Sequence, residues 1–476
     1  MTRPATQPTR RRSALGIWAL LLVIVVLLYG VLANTGGWWP FQPSSPDPQL
    51  NPESLPESSA QVVRLQGSNT IGADLAPDLA EGFLASKGAT DVQRTAASGL
   101  VTVSGTVPGA GETRFEIRAE GTETAFDGLG SGSADVGMAS RRIRDVERQQ
   151  LHAEHGDLTS PEAEHILALD AVAVIVSPNN RLRELSMDQL RRAFTCEVTD
   201  WAQLAPGLPA GPIRLLARDA NSGTYESFQE KVLGSAPLCP NAERFAENER
   251  IAAAVAQDPA AIGFVALPSV GGTTALALYD DASRAMAPTS LSVSTESYLL
   301  TRRLYLYVPP VPANPLAKEF VDSFTLSAPG QRIVADAGFV SPLFPPAAPP
   351  SPPCVDAPPD YCAAVTGAER VPFDVRFDTG TDRLDNRATR NLDLLATSTP
   401  PGAGRQVLLV GFADGSGAAP ANLELSRSRA SAVSRYLAER GLTSVTSVGF
   451  GDALPVATND TPEGREQNRR VEVWLR

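Results

Sequence analysis

A chain of 476 residues with 43% hydrophobic and 20% charged side chains has the composition of ordinary folded domains, about two to four of them at roughly 100–200 residues each. Its net charge of −12 gives no sign of the basic face that nucleic acid needs, and 3 His with 4 Cys leave little from which to build a metal centre. Proline is in excess, at 40 residues. Charge is uneven: the first 50 residues are basic, residues 371–476 are balanced, and the acidity belongs to the block between them.

Residues 14–33, ALGIWALLLVIVVLLYGVLA, carry no charge. As a helix they cover about 30 Å, enough to cross a hydrocarbon core. Arg10, Arg11 and Arg12 precede them, which keeps residues 1–13 on the cytoplasmic side. A cleaved signal peptide has a shorter apolar core and a small-residue cleavage site. The run is therefore expected to be an uncleaved transmembrane anchor, with the rest of the chain exported to the periplasm; cleavage would leave the chain periplasmic. Export favours disulfides. Cys354 and Cys362 enclose one short Pro-rich loop and form the local pair, which leaves Cys196 with Cys239. His152, His155 and His165 make no ligand set with them, and no metal or cofactor is expected.

Proline clusters at two joints. Pro40, Pro43, Pro46, Pro48, Pro52 and Pro56 fall in residues 34–59; Pro345, Pro346, Pro349, Pro350, Pro352, Pro353, Pro358 and Pro359 fall in residues 345–370. Both stretches are expected to be extended spacers, bounding one domain at 60–344 and another at 371–476.

In the central domain, VVRLQGSNTIG reads as strand, turn and helix, with Leu75, Leu79 and Phe83 on the buried face. IRAEGTETAFDGL repeats the plan around Gly121-Thr122. ADVGMASRRI ends a third strand at Ser140 and Arg141. IRLLARDANSGTYESF ends a fourth at Arg218, with Ser222-Gly223-Thr224 opening a helix. Helix starts present unpaired N–H groups and partial positive charge, which suits anions, and Arg218 adds a forked donor. The same hydroxyls can also serve simply as N-caps; four such turns on one chain favour a site.

GSNTIG, EGTETAFDGL, ADVGMASRRI, LALDAVAVIVSPNN, ARDANSGTYESF, IGFVALP and RRLYLYV stand in the order seen in PstS-like phosphate-binding proteins, which this domain resembles. The resemblance implies an α/β two-lobed periplasmic-binding fold that closes on its ligand, with the chain crossing between lobes near Ala168–Ala173 and Thr295–Leu304. It implies an oxyanion shell of Thr70, Ile71, Thr122, Ser140, Arg141, Arg218, Ser222, Gly223 and Thr224, and an ABC transporter as partner. Two departures stand out. Glu123 follows Thr122 where the family reads Gly-Ser-Gly, which would bury a carboxylate against the ligand. Arg141 stands where some members place an Asp acceptor.

The last domain alternates strand and helix: FDVRFDTG, LDNRATRNLDLLAT, RQVLLVGFADG, NLELSRSRASAVSRYLAERG, SVTSVGFGD and RRVEVWLR. This is an α+β pattern. Asn422, Leu425, Ser426 and Arg429 share one helix face, and Val433 and Leu437 are the expected core contacts. Asp414 follows a strand end; with Arg429 it could hold both ends of a zwitterionic amino acid, or form an ordinary salt bridge. GFADGSG, NLELSRSRASAV and NDTPEGREQNRRVEV resemble OmpA-like C-terminal domains. The resemblance implies non-covalent binding of the diaminopimelate of peptidoglycan, with Asp414 and Arg429 as clamps and Asn422 and Arg469 in support; Ala413 replaces a common Thr.

G-x-S-x-G, Walker, H-E-x-x-H and C-x-x-C motifs are absent from the sequence, so a binder rather than an enzyme is expected. The reading is a membrane-anchored, wall-associated protein of the cell envelope that captures phosphate or a similar oxyanion. The alternative is an envelope scaffold whose central domain has lost its ligand, for which Glu123 is the motivating feature.

Overall fold

The computed structural model describes residues 60–220, 222–280, 283–343, 354, 357–377, 384–399 and 405–476. The expected anchor, the first spacer and residues 345–353 and 355–356 of the second lie outside these residues. No helix among the described residues is long and apolar enough to cross a membrane.

Two lobes share one large sheet. The first lobe holds β1 (Gln61–Gly67), β2 (Thr90–Ala97), β3 (Leu100–Val107), β4 (Gly111–Ala119) and β5 (Val136–Ala139). The chain leaves it along β6 (Glu164–Val176). The second lobe holds β7 (Glu184–Ser186), β8 (Arg214–Arg218), β9 (Glu243–Phe245), β10 (Ala261–Ala266), β11 (Thr274–Ala275) and β12 (Ala277–Tyr279). The chain returns along β13 (Thr301–Tyr307). Strand order is β2-β3-β4-β1-β5-β13-β6-β10-β8-β9, so the antiparallel pair β6 and β13 joins the lobes. Every residue of β6 is buried, which explains why EHILALDAVAVIV is apolar except at Glu164, His165 and Asp170.

The crossover is visible in the cores. Leu167 and Ala168 pack with the first lobe, whereas Leu169, Ala171 and Val172 pack with the second. Aromatic rings fill both. Phe83 meets Phe115, Phe320 and Phe324 edge-on in the first lobe; Phe228 stacks on Phe264 at 3.9 Å in the second. Each fully buried ring contributes about 1.5–3 kcal/mol of transfer free energy. Phe228 belongs to the Gly223–Phe228 helix, so this stack fixes the helix whose start faces the cleft. Disulfides join Cys196 to Cys239 and Cys354 to Cys362.

The C-terminal domain has β14 (Glu369–Arg376), β15 (Val407–Gly411), β16 (Val445–Gly449) and β17 (Arg470–Leu475), in the order β14-β17-β15-β16. The Asn386–Ser398 and Ala419–Glu439 helices cover it. Val433 and Leu437 are fully buried, as expected. Leu425 is not part of the buried face: it is 39% exposed, while Asn422, Ser426 and Arg429 turn inward. Glycine ends the longer helix, with Gly441 at φ +85°. Pro359–Val365 is helical, and Tyr361 and Val365 pack against Phe412 and Trp474. This part of the expected spacer belongs to the core of the C-terminal domain, because its apolar side chains cover one face of the sheet.

Candidate functional site

A cleft of about 960 Å³ lies between the lobes, lined by Thr70 from the first and Arg218, Ser222, Gly223 and Thr224 from the second. Gly67 makes the first turn possible: its φ is +138°, and a Cβ there would stand 2.0 Å from the Met138 carbonyl oxygen. Thr70 follows in a short helix, Asn69–Gly72, behind Ser68. Across the cleft Ser222 caps the Gly223–Phe228 helix, its hydroxyl accepting from the N–H groups of Thr224 and Tyr225 at 3.2 and 3.4 Å. The lobes meet here. A Cβ on Gly223 would lie 1.8 Å from Thr70 Oγ1, so only glycine lets the two turns come together.

Arg218 lines the cleft with its Nε buried and without a partner. Burial pulls its pKa down from the ordinary value, against the pull of Asp219, Glu249 and Glu247. The surrounding rim is acidic, with Asp74, Asp78, Glu120, Glu249 and Asp336. Any anion held at Arg218 is therefore held by short-range donors and not by the general field.

The remaining residues expected in the oxyanion shell are placed differently. Ile71 is fully buried in the first lobe's core, leaving only its backbone to face a ligand. Thr122 and Ser140 bond to each other, oxygen to oxygen at 2.8 Å, and the Ser140 N–H donates to Thr122 Oγ1 at 3.1 Å. Ser140 does not open a helix; the next one starts at Asp145. Arg141 is engaged by Glu147 through two bonds of 2.9 and 2.6 Å. That bidentate pair satisfies its fork, so Arg141 is a lobe-one salt bridge in this structure. Glu123 is not buried against the cleft: its side chain is 65% exposed, 3.8 Å from both Arg141 and Arg144. The feature that motivated the scaffold reading is therefore a surface carboxylate.

Two residues at the cleft escaped sequence reading. Asp170 and Arg302 stand opposite each other on β6 and β13. Arg302 Nε donates to Asp170 Oδ2 at 3.0 Å, and its Nη2 donates to Thr70 Oγ1 at 2.6 Å and to the Gly223 carbonyl at 2.8 Å. One guanidinium thus touches both lobes at the place where they join. Its Nη1 is buried without a partner. Glu226, one turn into the Gly223–Phe228 helix, is held above the ordinary carboxyl range by burial, with Arg302 opposing and Glu123 and Glu230 adding to the shift.

The second site lies at the end of β15. Asp414 Oδ2 accepts from Arg469 Nη1 at 3.3 Å, and its other oxygen accepts from the Ser416 N–H at 3.1 Å. Burial works against the charged form of Asp414, but hydrogen bonds from Ser416 and Arg469 outweigh it and hold the pKa below its ordinary value. Arg429 donates to the Phe412 carbonyl at 3.3 Å, two residues before Asp414. Asn422 donates to the Gly417 carbonyl and to Asp452, each at 3.1 Å. Asn459 accepts from the Gly415 N–H at 3.0 Å, and buried Asn468 holds Asn459 in turn. All four expected residues thus surround one loop, with Arg469 and not Arg429 as the direct partner of Asp414.

Residues 76–328 match a family described as a PBP superfamily domain, and residues 376–469 match the OmpA family. Over 244 residues the chain is 30% identical to the phosphate-binding protein PstS of Pseudomonas aeruginosa, covering 48% of this chain and 73% of that one. The chain belongs to the PstS-like family, with an OmpA-family domain fused to it. In structure this PstS-like chain is similar to an ABC-type phosphate transport receptor from Vibrio cholerae, at 21% identity and a TM-score of 0.45, covering 58% of this chain and 99% of that one. Its OmpA-family part is similar to the peptidoglycan-associated lipoprotein of Burkholderia pseudomallei, at 28% identity and a TM-score of 0.21, covering 22% of this chain and 89% of that one.

The missed residues of the PstS-like domain had a partial sequence signal. Asp170 and Arg302 sit inside the two segments expected to cross between lobes, LALDAVAVIV and ESYLLTRRLYLYV. A charge inside a largely apolar, buried segment asks for a buried partner; only strand pairing says which. The Pro462–Asn468 helix was also missed, because NDTPEGREQN was read as motif and not as structure, although Thr461 caps it and Pro462 opens it.

Proposed function

We propose that this is a non-enzymatic solute-binding protein, anchored in the membrane by residues 14–33. It captures phosphate or a similar oxyanion between its lobes and holds peptidoglycan non-covalently through its OmpA-family domain. The observation that carries the reading is the meeting of Thr70 with Gly223, where two short helix starts and Arg218 converge on one cleft. Backbone N–H groups, the hydroxyls of Thr70 and Thr224 and the Arg218 fork supply donors for a tetrahedral oxyanion. Arg302 positions both walls from behind. In the wall domain, Asp414 takes an ammonium group and Arg429 a carboxylate, the two ends of diaminopimelate, with Asn422 and Arg469 in support. An ABC transporter is the receiver that such a carrier would serve.

Calorimetry of the full chain in mild detergent with phosphate and with sulfate tests the first half. Heat with phosphate is expected, and a folded chain silent to both anions refutes it. Retention on purified sacculi tests the second half.

A further inference from the structure

The two domains were expected to stand apart on a Pro-rich spacer, yet they pack together at the hinge of the lobes. Ser294, Thr295 and Glu296 sit in the second lobe, between Val293 and Tyr298 of its core, and lead into β13, along which the chain passes back to the first lobe between Leu300 and Leu304. Their three successive carbonyls are taken by guanidinium groups of the C-terminal domain. Arg387 Nη2 donates to Ser294 O at 2.6 Å, and Arg376 Nη2 donates to Thr295 O at 3.0 Å and to Glu296 O at 3.2 Å. The Glu296 carboxylate is buried between Arg303 of its own domain, at 2.8 and 2.9 Å, and Arg387, at 2.7 Å. Asp385 completes the cluster with an ion pair to Arg303 at 2.8 Å.

Glu296 has φ +56°, a left-handed conformation that a side-chain-bearing residue adopts at a cost. Such a residue stays there only when its surroundings over-determine it, and here both carboxylate and carbonyl are gripped. The C-terminal domain also reaches each lobe separately. Asn386 donates to Thr159 O and Glu164 Oε1 on the first lobe, at 3.2 Å each, and the Thr458 N–H donates to Asp280 Oδ2 on the second at 2.6 Å.

We propose that the OmpA-family domain is a latch on the hinge, holding Ser294–Glu296 in the conformation in which Thr70 and Gly223 meet. Hinge closure in two-lobed binders is absorbed by a few residues changing φ and ψ. These three cannot turn without releasing Arg376 and Arg387, and the lobes cannot part without losing the contact at Asn386 or at Asp280. The latch also reaches the wall site: Arg376 Nη1 donates to the Gln467 carbonyl at 2.7 Å, two residues before Arg469.

The inference rests on the oxyanion reading for its consequence but not for its detection. Two variants of the full chain serve. Arg387→Met removes one grip and leaves Glu296 paired with Arg303; Asp280→Asn weakens the lobe-two contact alone and keeps the fold if the first variant does not. Hydrogen exchange over 294–300 is expected to rise about tenfold in Arg387→Met and a few-fold in Asp280→Asn. Release of inorganic phosphate, followed by stopped flow, is expected to quicken by similar factors. Exchange and release rates that match the parent in folded variants overturn the latch. A parent chain that protects 294–300 but binds no phosphate refutes the oxyanion reading and leaves the latch standing.

Discussion

The cleft between the lobes and the site at the end of β15 are assembled in opposite ways. The cleft draws Thr70, Arg218, Gly223 and Arg302 from two lobes, and its decisive contact is between residues with no local relation to each other. The wall site sits within one small domain, where Asp414, Arg429 and Arg469 surround the end of a single strand. Around the cleft, Arg302 is paired with Asp170 yet keeps a buried Nη1 without a partner, and Arg218 keeps a buried Nε without one; Arg141, outside the cleft lining, is paired with Glu147. A site built across a hinge can be opened by geometry alone, whereas a site built on one sheet can be lost only through its own side chains.

The sharpest way to break that contrast is Gly223→Ala. The added Cβ must displace Thr70, and phosphate binding is expected to weaken about 10–100-fold by calorimetry while the fold stays intact. At the wall site geometry is not the lever, so the charge itself must go: Asp414→Ala or Arg429→Ala is expected to reduce sacculus retention by about tenfold or more. Arg218→Ala should cost about tenfold in phosphate affinity, the loss of one charge-assisted donor. Arg141→Ala should cost less than about threefold, because its fork is already filled by Glu147; a loss as large as that of Arg218→Ala would mean that Arg141 turns to the ligand.

The smallest effect is on pH. The folded Asp414 pKa lies below its ordinary value, so its contribution is present above that value and is lost as pH falls through the depressed folded one. Sacculus retention is expected to be flat from about pH 8 to pH 5 and to fail only below about pH 4. A loss centred near pH 6 would point to a different titrating group.

Legibility in the sequence followed the same divide. That the residues proposed for wall binding gather at one place was readable, because they sit in short motifs on regular elements: Asn422, Ser426 and Arg429 follow the helical repeat, and Asp414 follows the end of a strand. What the motif did not give was pairing, and the structure joins Asp414 to Arg469. The turns of the cleft were readable as Gly-Ser-Asn-Thr and Ser-Gly-Thr, since glycine and hydroxyl residues mark strand-to-helix turns whatever surrounds them. Their partners were not readable. Thr122 and Ser140 face each other across 18 residues, and Arg302 meets Thr70 across 232.

By itself, the sequence determined what local physics can specify: an apolar run long enough for a membrane, prolines at the joints, the two families, the strands and most of the helices, and the turns where donors cluster. Only the tertiary structure decided which arginines remain available, that Glu123 faces solvent, and that the wall domain grips Ser294–Glu296 instead of standing off on a spacer. The reason is that the availability of a charge depends on its neighbours in space. The neighbours of Arg302, Glu296 and Arg387 come from strands and domains whose packing no short window of residues encodes.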